Sequence, residues 1–306
     1  MKANAKCMSC LLKIQENKID ALKDEDKKRR FMHDCVKVLY EKGMESNVAV
    51  LNMELEKLYL QYYGDFHNYY NLKSKYNQYM LKKEEQIKDE IRRSDDPLKA
   101  SIYFCCAGNY IDFGVHGKID DSILEKLLKK AKEEVINENE INSFKRELSH
   151  AKSLVYITDN CGEIVMDKIL IEIIKQLYQG IHITIMVRGE DIINDATIVD
   201  AKEVGLDKKA AIVDNGLPIG GISLENLPEQ SKSLLDEADI IISKGMGNFE
   251  SLYGEGYQPY YMFLCKCDLF VKRFGLKMYE AVFAREDRIN INNILFVEEL
   301  ELTHKL

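Results

Sequence analysis

Hydrophobic residues recur at three- and four-residue intervals through roughly the first 97 positions, which is the period of amphipathic helices. Leu11, Leu12 and Ile14 open one helix. Phe31, Met32, Cys35, Val36, Val38 and Leu39 stripe a second, which Gly43 can end at its C′ position. Val48, Val50, Leu51, Met53, Leu55, Leu58 and Leu60 mark a third, closed by Gly64. A long charged and aromatic run follows to Ile91. Ser94-Asp95-Asp96-Pro97 predicts a break and a new start, with Pro97 near N1 and an aspartate as cap. An apolar helix from Leu98 to Cys106 leads into the glycine-marked loop Ala107 to Gly114. Two more helices are predicted, near Asp121 to Ile136 and Glu138 to Ala151.

After Ala151 the period changes. Short apolar runs bounded by polar residues predict strands at Leu154–Ile157, Ile181–Val187, Ala211–Val213, Ile240–Ser243 and near Tyr261–Cys265, and a last apolar run lies at Ile294–Val297. Helical stretches separate them. This alternation predicts an α/β fold: a three-layer α/β/α sandwich with a largely parallel sheet over residues 98–306, preceded by an N-terminal all-helical subdomain over residues 1–97. The segments Arg188–Asp195 and Lys244–Glu250 read as loops at strand ends.

Composition narrows the functional classes. The chain has 306 residues, 46% of them hydrophobic, enough for a large core. Its 51 acidic against 43 basic residues leave a net charge of -8, without the basic surplus of nucleic-acid binders, so small metabolites are better partners. No apolar run approaches membrane-spanning length and no signal peptide or anchor is evident at the N-terminus, so a cytoplasmic location is expected. The eight cysteines are scattered through apolar segments, as expected of reduced thiols. Cys7-Met-Ser-Cys10 has the spacing of a zinc or redox pair, but no second pair of that spacing completes it, and Cys265-Lys-Cys267 is too distant to join on sequence grounds.

Three strand-end loops carry the candidate chemistry: Asp159-Asn160-Cys-Gly162-Glu163, Arg188 to Thr197, and Lys244-Gly245-Met-Gly247-Asn248-Phe-Glu250. In a parallel sheet such loops emerge on one edge and converge. Asp159, Asn160 and Asp195 would form a partial oxygen shell for a divalent metal ion of the Mn, Co, Ni or Mg kind. The competing reading is that both Asp-Asn clusters only cap the helices that follow. The backbone after Gly162 and the lysine and glycines at 244–247 could hold a phosphate, or simply turn the chain.

In this order the loops resemble the metal-dependent damage-control phosphatases. The matching segments are Asp159-Asn160-Cys-Gly-Glu163-Ile-Val-Met-Asp167, Arg188-Gly189 with Asn194-Asp195-Ala-Thr197, and Ser243-Lys244-Gly-Met-Gly-Asn248-Phe-Glu250. Ala107-Gly108-Asn109 with Ile111-Asp112-Phe113-Gly114 is similar to a further family segment, and Cys7-x-x-Cys10 to the pair of the mainly prokaryotic branch. The resemblance implies hydrolysis of phosphate esters of small metabolites, sugar phosphates included, with metal ligation by Asp159, Asn160 and Asp195. It implies a catalytic role for Lys244, and substrate contacts drawn from Asn109, Asp112, Gly162, Glu163, Arg188, Asn194, Gly245, Gly247 and Asn248. Methyl transfer to carboxylates and non-catalytic metabolite binding are the alternatives, and oligomeric state is not legible.

Overall fold

The computed structural model describes residues 1–64, 69–110 and 136–289, with 125, 126, 129 and 133 between them. The expected site residue Asp112, most of the expected helix at 121–136 and the run at 294–297 lie outside the described residues.

The N-terminal helices form as their periodicity predicts, and side-chain caps fix their starts. Helix α1 (Ala5–Ile19) begins at Asn4, α2 (Glu25–Lys42) at Asp24, α3 (Val48–Tyr63) at Asn47 and α5 (Pro97–Gly108) at Asp96; each cap oxygen accepts from a backbone N–H three residues on. Between the last two runs α4 (Tyr69–Arg92). Gly43 ends α2 differently from expectation: its φ is -63°, so it needs no left-handed freedom. A Cβ there would stand 2.6 Å from Met8 Cε, so the glycine serves the close approach of α1.

Helices α1 to α3 close on their own core, in which Phe31, Cys35, Leu51 and Leu55 are buried. Helix α4 does not join it. Tyr76, Met80, Ile87 and Ile91 of α4 pack into the α/β core instead.

Among the described residues the sheet has six strands in the order β3-β2-β1-β4-β5-β6. These are β1 (Ser153–Ile157), β2 (His182–Val187), β3 (Ala211–Asp214), β4 (Ile240–Lys244), β5 (Tyr260–Leu264) and β6 (Ala281–Arg285). The first five are parallel; β6 pairs antiparallel with β5 on the edge. Alternation along the strands builds the two faces. Leu154, Tyr156, Ile240, Ile242, Tyr260 and Met262 meet α4, α5, α6 (Glu138–Leu148), α7 (Ile164–Leu177) and α8 (Ile198–Glu203). Val155, Ile157, Ile241, Tyr261 and Phe263 meet α9 (Glu229–Glu237), α10 (Gly245–Leu252) and α11 (Asp268–Phe274). The result is the expected α/β/α sandwich. Among the described residues no helix is long and apolar enough to cross a membrane.

The segment after β4 departs from its reading as a loop. Lys244 is the last strand residue and α10 starts at Gly245, whose φ of +80° turns strand into helix within one residue. Strand order reverses between β1 and β4, so the ends of these strands open the crevice in which α/β sheets place ligands.

Candidate functional site

The loops after β1 and β2 are zipped together by main chain. Ala196 N–H donates to Asp159 O at 2.8 Å, Cys161 N–H to Asn194 O at 2.8 Å, and Asn160 bridges Asp195 in antiparallel fashion. Asp159, Asn160, Asn194 and Asp195 are therefore held side by side, whatever their side chains bind. The Asn194 amide donates to Asn160 Oδ1 at 2.8 Å.

Asp159 is the focus of the cluster. Its Oδ2 accepts from the Asn109 amide at 2.9 Å and from the Asn160 amide at 2.7 Å. Its Oδ1 makes no hydrogen bond among the described residues; Arg188 Nη2 stands 3.6 Å away. Burial pushes the Asp159 carboxyl well above its ordinary range, and the charges of Asp195 and Glu163 push the same way, against Arg188 and Lys266. Gly245 explains why this carboxylate can lie over the start of α10: a Cβ there would sit 2.2 Å from Asp159 Oδ2.

Arg188 is fully buried and braces the acids. Its Nε donates to Asp195 Oδ2 at 2.6 Å, and its Nη1 to Asn248 Oδ1 at 2.8 Å and Gly221 O at 3.2 Å, while Nη2 has no hydrogen-bond partner among the described residues. Asn248 in turn donates to Thr158 O and Lys244 O, tying α10 to the ends of β1 and β4.

Several expected substrate contacts are taken by the protein itself. Lys244 is wholly buried, with Nζ 2.7 Å from both Glu163 Oε1 and Asp167 Oδ1 and 3.2 Å from Cys105 O, so its donors point inward. Gly162 N–H donates to Asn77 Oδ1 at 2.7 Å and is not open to an anion. Gly247 serves packing: a Cβ would meet Gly220 O at 1.9 Å. Glu163, also fully buried, accepts from Asn109 and Asn160 at Oε2 and faces Lys244 with Oε1. Asn109 is oriented by Leu264 N–H, which donates to its Oδ1 at 3.1 Å, so its amide nitrogen must face the two carboxylates.

Sequence reasoning missed the groups that hold these loops from α4. Asn77 donates to Asp200 and Glu203 besides accepting from Gly162. Lys73, 2% exposed, bonds Asp191 at 2.6 Å and Asp200 at 2.7 Å. Burial opposes the Lys73 charge, but the two carboxylates outweigh it and raise its pKa. Lys266, two residues after β5, was also missed, since only its flanking cysteines drew notice. None carries a local signal; their partners lie far along the chain.

The residues present fit a hard divalent ion in their chemistry. Asp159 and Asp195 supply carboxylate oxygens beside each other, in surroundings where negative charge is already in excess. Asn160 shows its amide nitrogen to Asp159 and Glu163, so ligation by its oxygen requires the amide to turn, an exchange that Asn194 can match with its own amide. Among the described residues no three His, Cys, Asp or Glu side chains stand gathered as a metal cage. An ion here would draw on the amide and on substrate or water oxygens as well.

The chain matches known proteins along nearly its full length. The model of the damage-control phosphatase ARMT1-like domain matches residues 3–282. A damage-control phosphatase of Archaeoglobus fulgidus is 31% identical over 287 residues, 92% of this chain and 98% of the relative. One of Pyrococcus horikoshii is 30% identical over 257 residues, 82% of this chain and 86% of the relative. A crystal structure of a DUF89 family protein from Pyrococcus horikoshii superposes with a TM-score of 0.81 at 26% identity, covering 94% of this chain and 99% of that one. Matched along nearly its full length in sequence and in fold, the chain belongs to the damage-control phosphatase family, and the activity that this membership supports is that of a phosphatase.

Proposed function

We propose that the protein is a metal-dependent phosphatase acting on phosphomonoesters of small metabolites, sugar phosphates among them. The observation that carries the reading is the clasp of Asp159, Asn160 and Asp195 at the switch point of the sheet, with Arg188 Nη2 3.6 Å from Asp159 Oδ1 beside it. Asp159, Asp195 and the Asn160 oxygen would hold the ion. When bound, a divalent ion supplies Lewis-acid polarisation of a phosphoryl oxygen. Arg188 Nε holds Asp195 in orientation, and its Nη2, 3.6 Å from Asp159 Oδ1, adds positive charge beside the two carboxylates. Asn109 holds Asp159 in one rotamer, while Lys244 and Glu163 form the buried floor that keeps the Asn109 amide in place. Lys266 lends its charge to the same carboxylate from the end of β5.

The test is a screen over sugar phosphates and related monoesters after chelation, with Mn, Co, Ni or Mg restored one at a time. Turnover only with added metal, and its loss on the order of 10²–10³-fold in Asp159→Asn and Asp195→Asn, is the expected result. Unchanged turnover in both folded variants would overturn the assignment. Borohydride added during turnover separates direct attack by water from a phospho-aspartate at Asp159. Reduction of the acyl phosphate converts Asp159 to homoserine in the second case and leaves it unchanged in the first.

A further inference from the structure

The fold removes the distance that isolates Cys7 and Cys10 in the sequence. A cavity of about 300 Å³ lies between the first turns of α1 and the segment joining β5 to α11, and Cys7, Cys10, Cys267 and Glu250 all line it. Cys7 and Cys10 stand three residues apart on one helix face, at a start fixed by Asn4. Cys267 is the residue before α11, and Glu250 belongs to α10. Lys6 and Asp268 join the two walls with a 3.2 Å ion pair. The Glu250 carboxylate accepts no hydrogen bond from any described residue; only its backbone oxygen is engaged, by the Met1 ammonium. Three cysteines and a glutamate thus line one space, although they come from three separate segments of the chain.

We propose that this cavity binds one soft divalent ion of the zinc class, held by the thiolates of Cys7, Cys10 and Cys267 with Glu250 as the fourth donor. Three sulfurs and one oxygen suit a closed tetrahedral site, and thiolates select a softer ion than the oxygen set around Asp159. Binding deprotonates the thiols and releases their protons to solvent, with no change in oxidation state. The four side chains are not drawn to one point in this structure. A redox pair is the less favoured use. Burial pushes the Cys7 and Cys10 thiols up, and the charges of Glu250 and Cys267 act in the same direction, unlike the low-pKa thiolates of exchange motifs. The ion would staple α1 to the segment carrying Lys266, and so join the helical bundle to the rim of the phosphatase site.

The experiment titrates the reduced, chelator-stripped full chain with cadmium as a spectroscopic stand-in for zinc, following the thiolate-to-cadmium charge-transfer band. The expected result is saturation at one equivalent, a band about one third weaker in Cys267→Ser, and affinity at least about tenfold lower in Cys10→Ser, Cys267→Ser and Glu250→Gln. Cys10 is exposed, so Cys10→Ser tests the site even if Cys267→Ser folds poorly. Zinc raises the thermal midpoint of the native chain and not that of Cys10→Ser. Absence of the band, a band indifferent to Cys267→Ser in folded protein, or a band abolished by Asp159→Asn would each overturn the proposal. So would a Cys10–Cys267 disulfide formed under mild disulfide oxidant in a chain that shows no cadmium affinity. The Asp159 variant also keeps this site separate from the phosphatase reading, because the band survives in it even if no phosphatase activity is found.

Discussion

Replacing Lys244 with methionine separates a lysine that contacts substrate from one that supports the floor of the site. In the native chain its ammonium sits 2.7 Å from Glu163 and 2.7 Å from Asp167, and all three side chains have no exposed surface. Removing one partner of such a buried arrangement costs about 3–5 kcal/mol at neutral pH, because uncompensated carboxylates remain inside. The cost depends on pH in a definite direction. Burial raises the Asp167 carboxyl and Lys244 opposes that rise, so Lys244→Met moves the folded-state value further above the unfolded one near 3.9. A carboxyl raised on folding binds more protons in the native state than in the unfolded one, so the stability it contributes is present in acid and lost as pH rises. The deficit of the variant therefore widens as pH rises, by at most about 1.36 kcal/mol per pH unit for one group. Urea unfolding at several pH values measures it. A deficit that is constant with pH, or a variant as stable as the native chain at pH 7 yet inactive, would refute the reasoning and return Lys244 to the substrate.

Gly245→Ala and Gly254→Ala form a matched pair. Both positions have φ above +75°, and each substitution costs about 1–2 kcal/mol of backbone strain, but only the methyl at 245 strikes Asp159. Thermal midpoints should fall in both, and kcat by on the order of 10²-fold in Gly245→Ala alone. Lys73→Met strands the buried Asp200 carboxylate and should cost about 3–5 kcal/mol in urea unfolding, whereas Asn77→Ala, which orphans Gly162 N–H, should cost about 1–3 kcal/mol. Lys266→Ala should raise KM for a phosphomonoester about tenfold with little change in kcat, an effect that shrinks at high salt.

The parts of this fold that a reader of the sequence can recover are those whose cause is local. Alternating apolar residues in β1 and β4 must face two cores, and the helix period in α7 must face one, so the sandwich follows from spacing. Strand β6 escaped because Ala281-Val-Phe-Ala-Arg285 is short and only half covered on the sheet edge, and its pairing with β5 is set by a turn with no marked signature. The start of α10 was lost to a glycine that reads as a loop residue until its φ is seen.

The candidate site divides along the same line, and the division has a physical reason. Asp159, Asn160 and Asp195 could be picked out because polar residues at the ends of buried strands have few purposes, and because the loops carrying them must leave the same sheet edge. Lys244 follows a strand end just as plainly, yet its partners are Cys105, Glu163 and Asp167, brought to it from α5, the β1 loop and α7. A lysine looks the same in sequence whether it meets a phosphate or buried carboxylates; what differs is which charges the closed fold has already placed around it. Cys267 makes the converse case. It has no meaning beside Cys265, and acquires one only when α1 is laid across the end of β5. Residue type and strand position are local properties, while compensation of charge and gathering of ligands belong to the tertiary structure. The experiments that discriminate best are therefore those that remove one member of a long-range pair and follow what its partner then does.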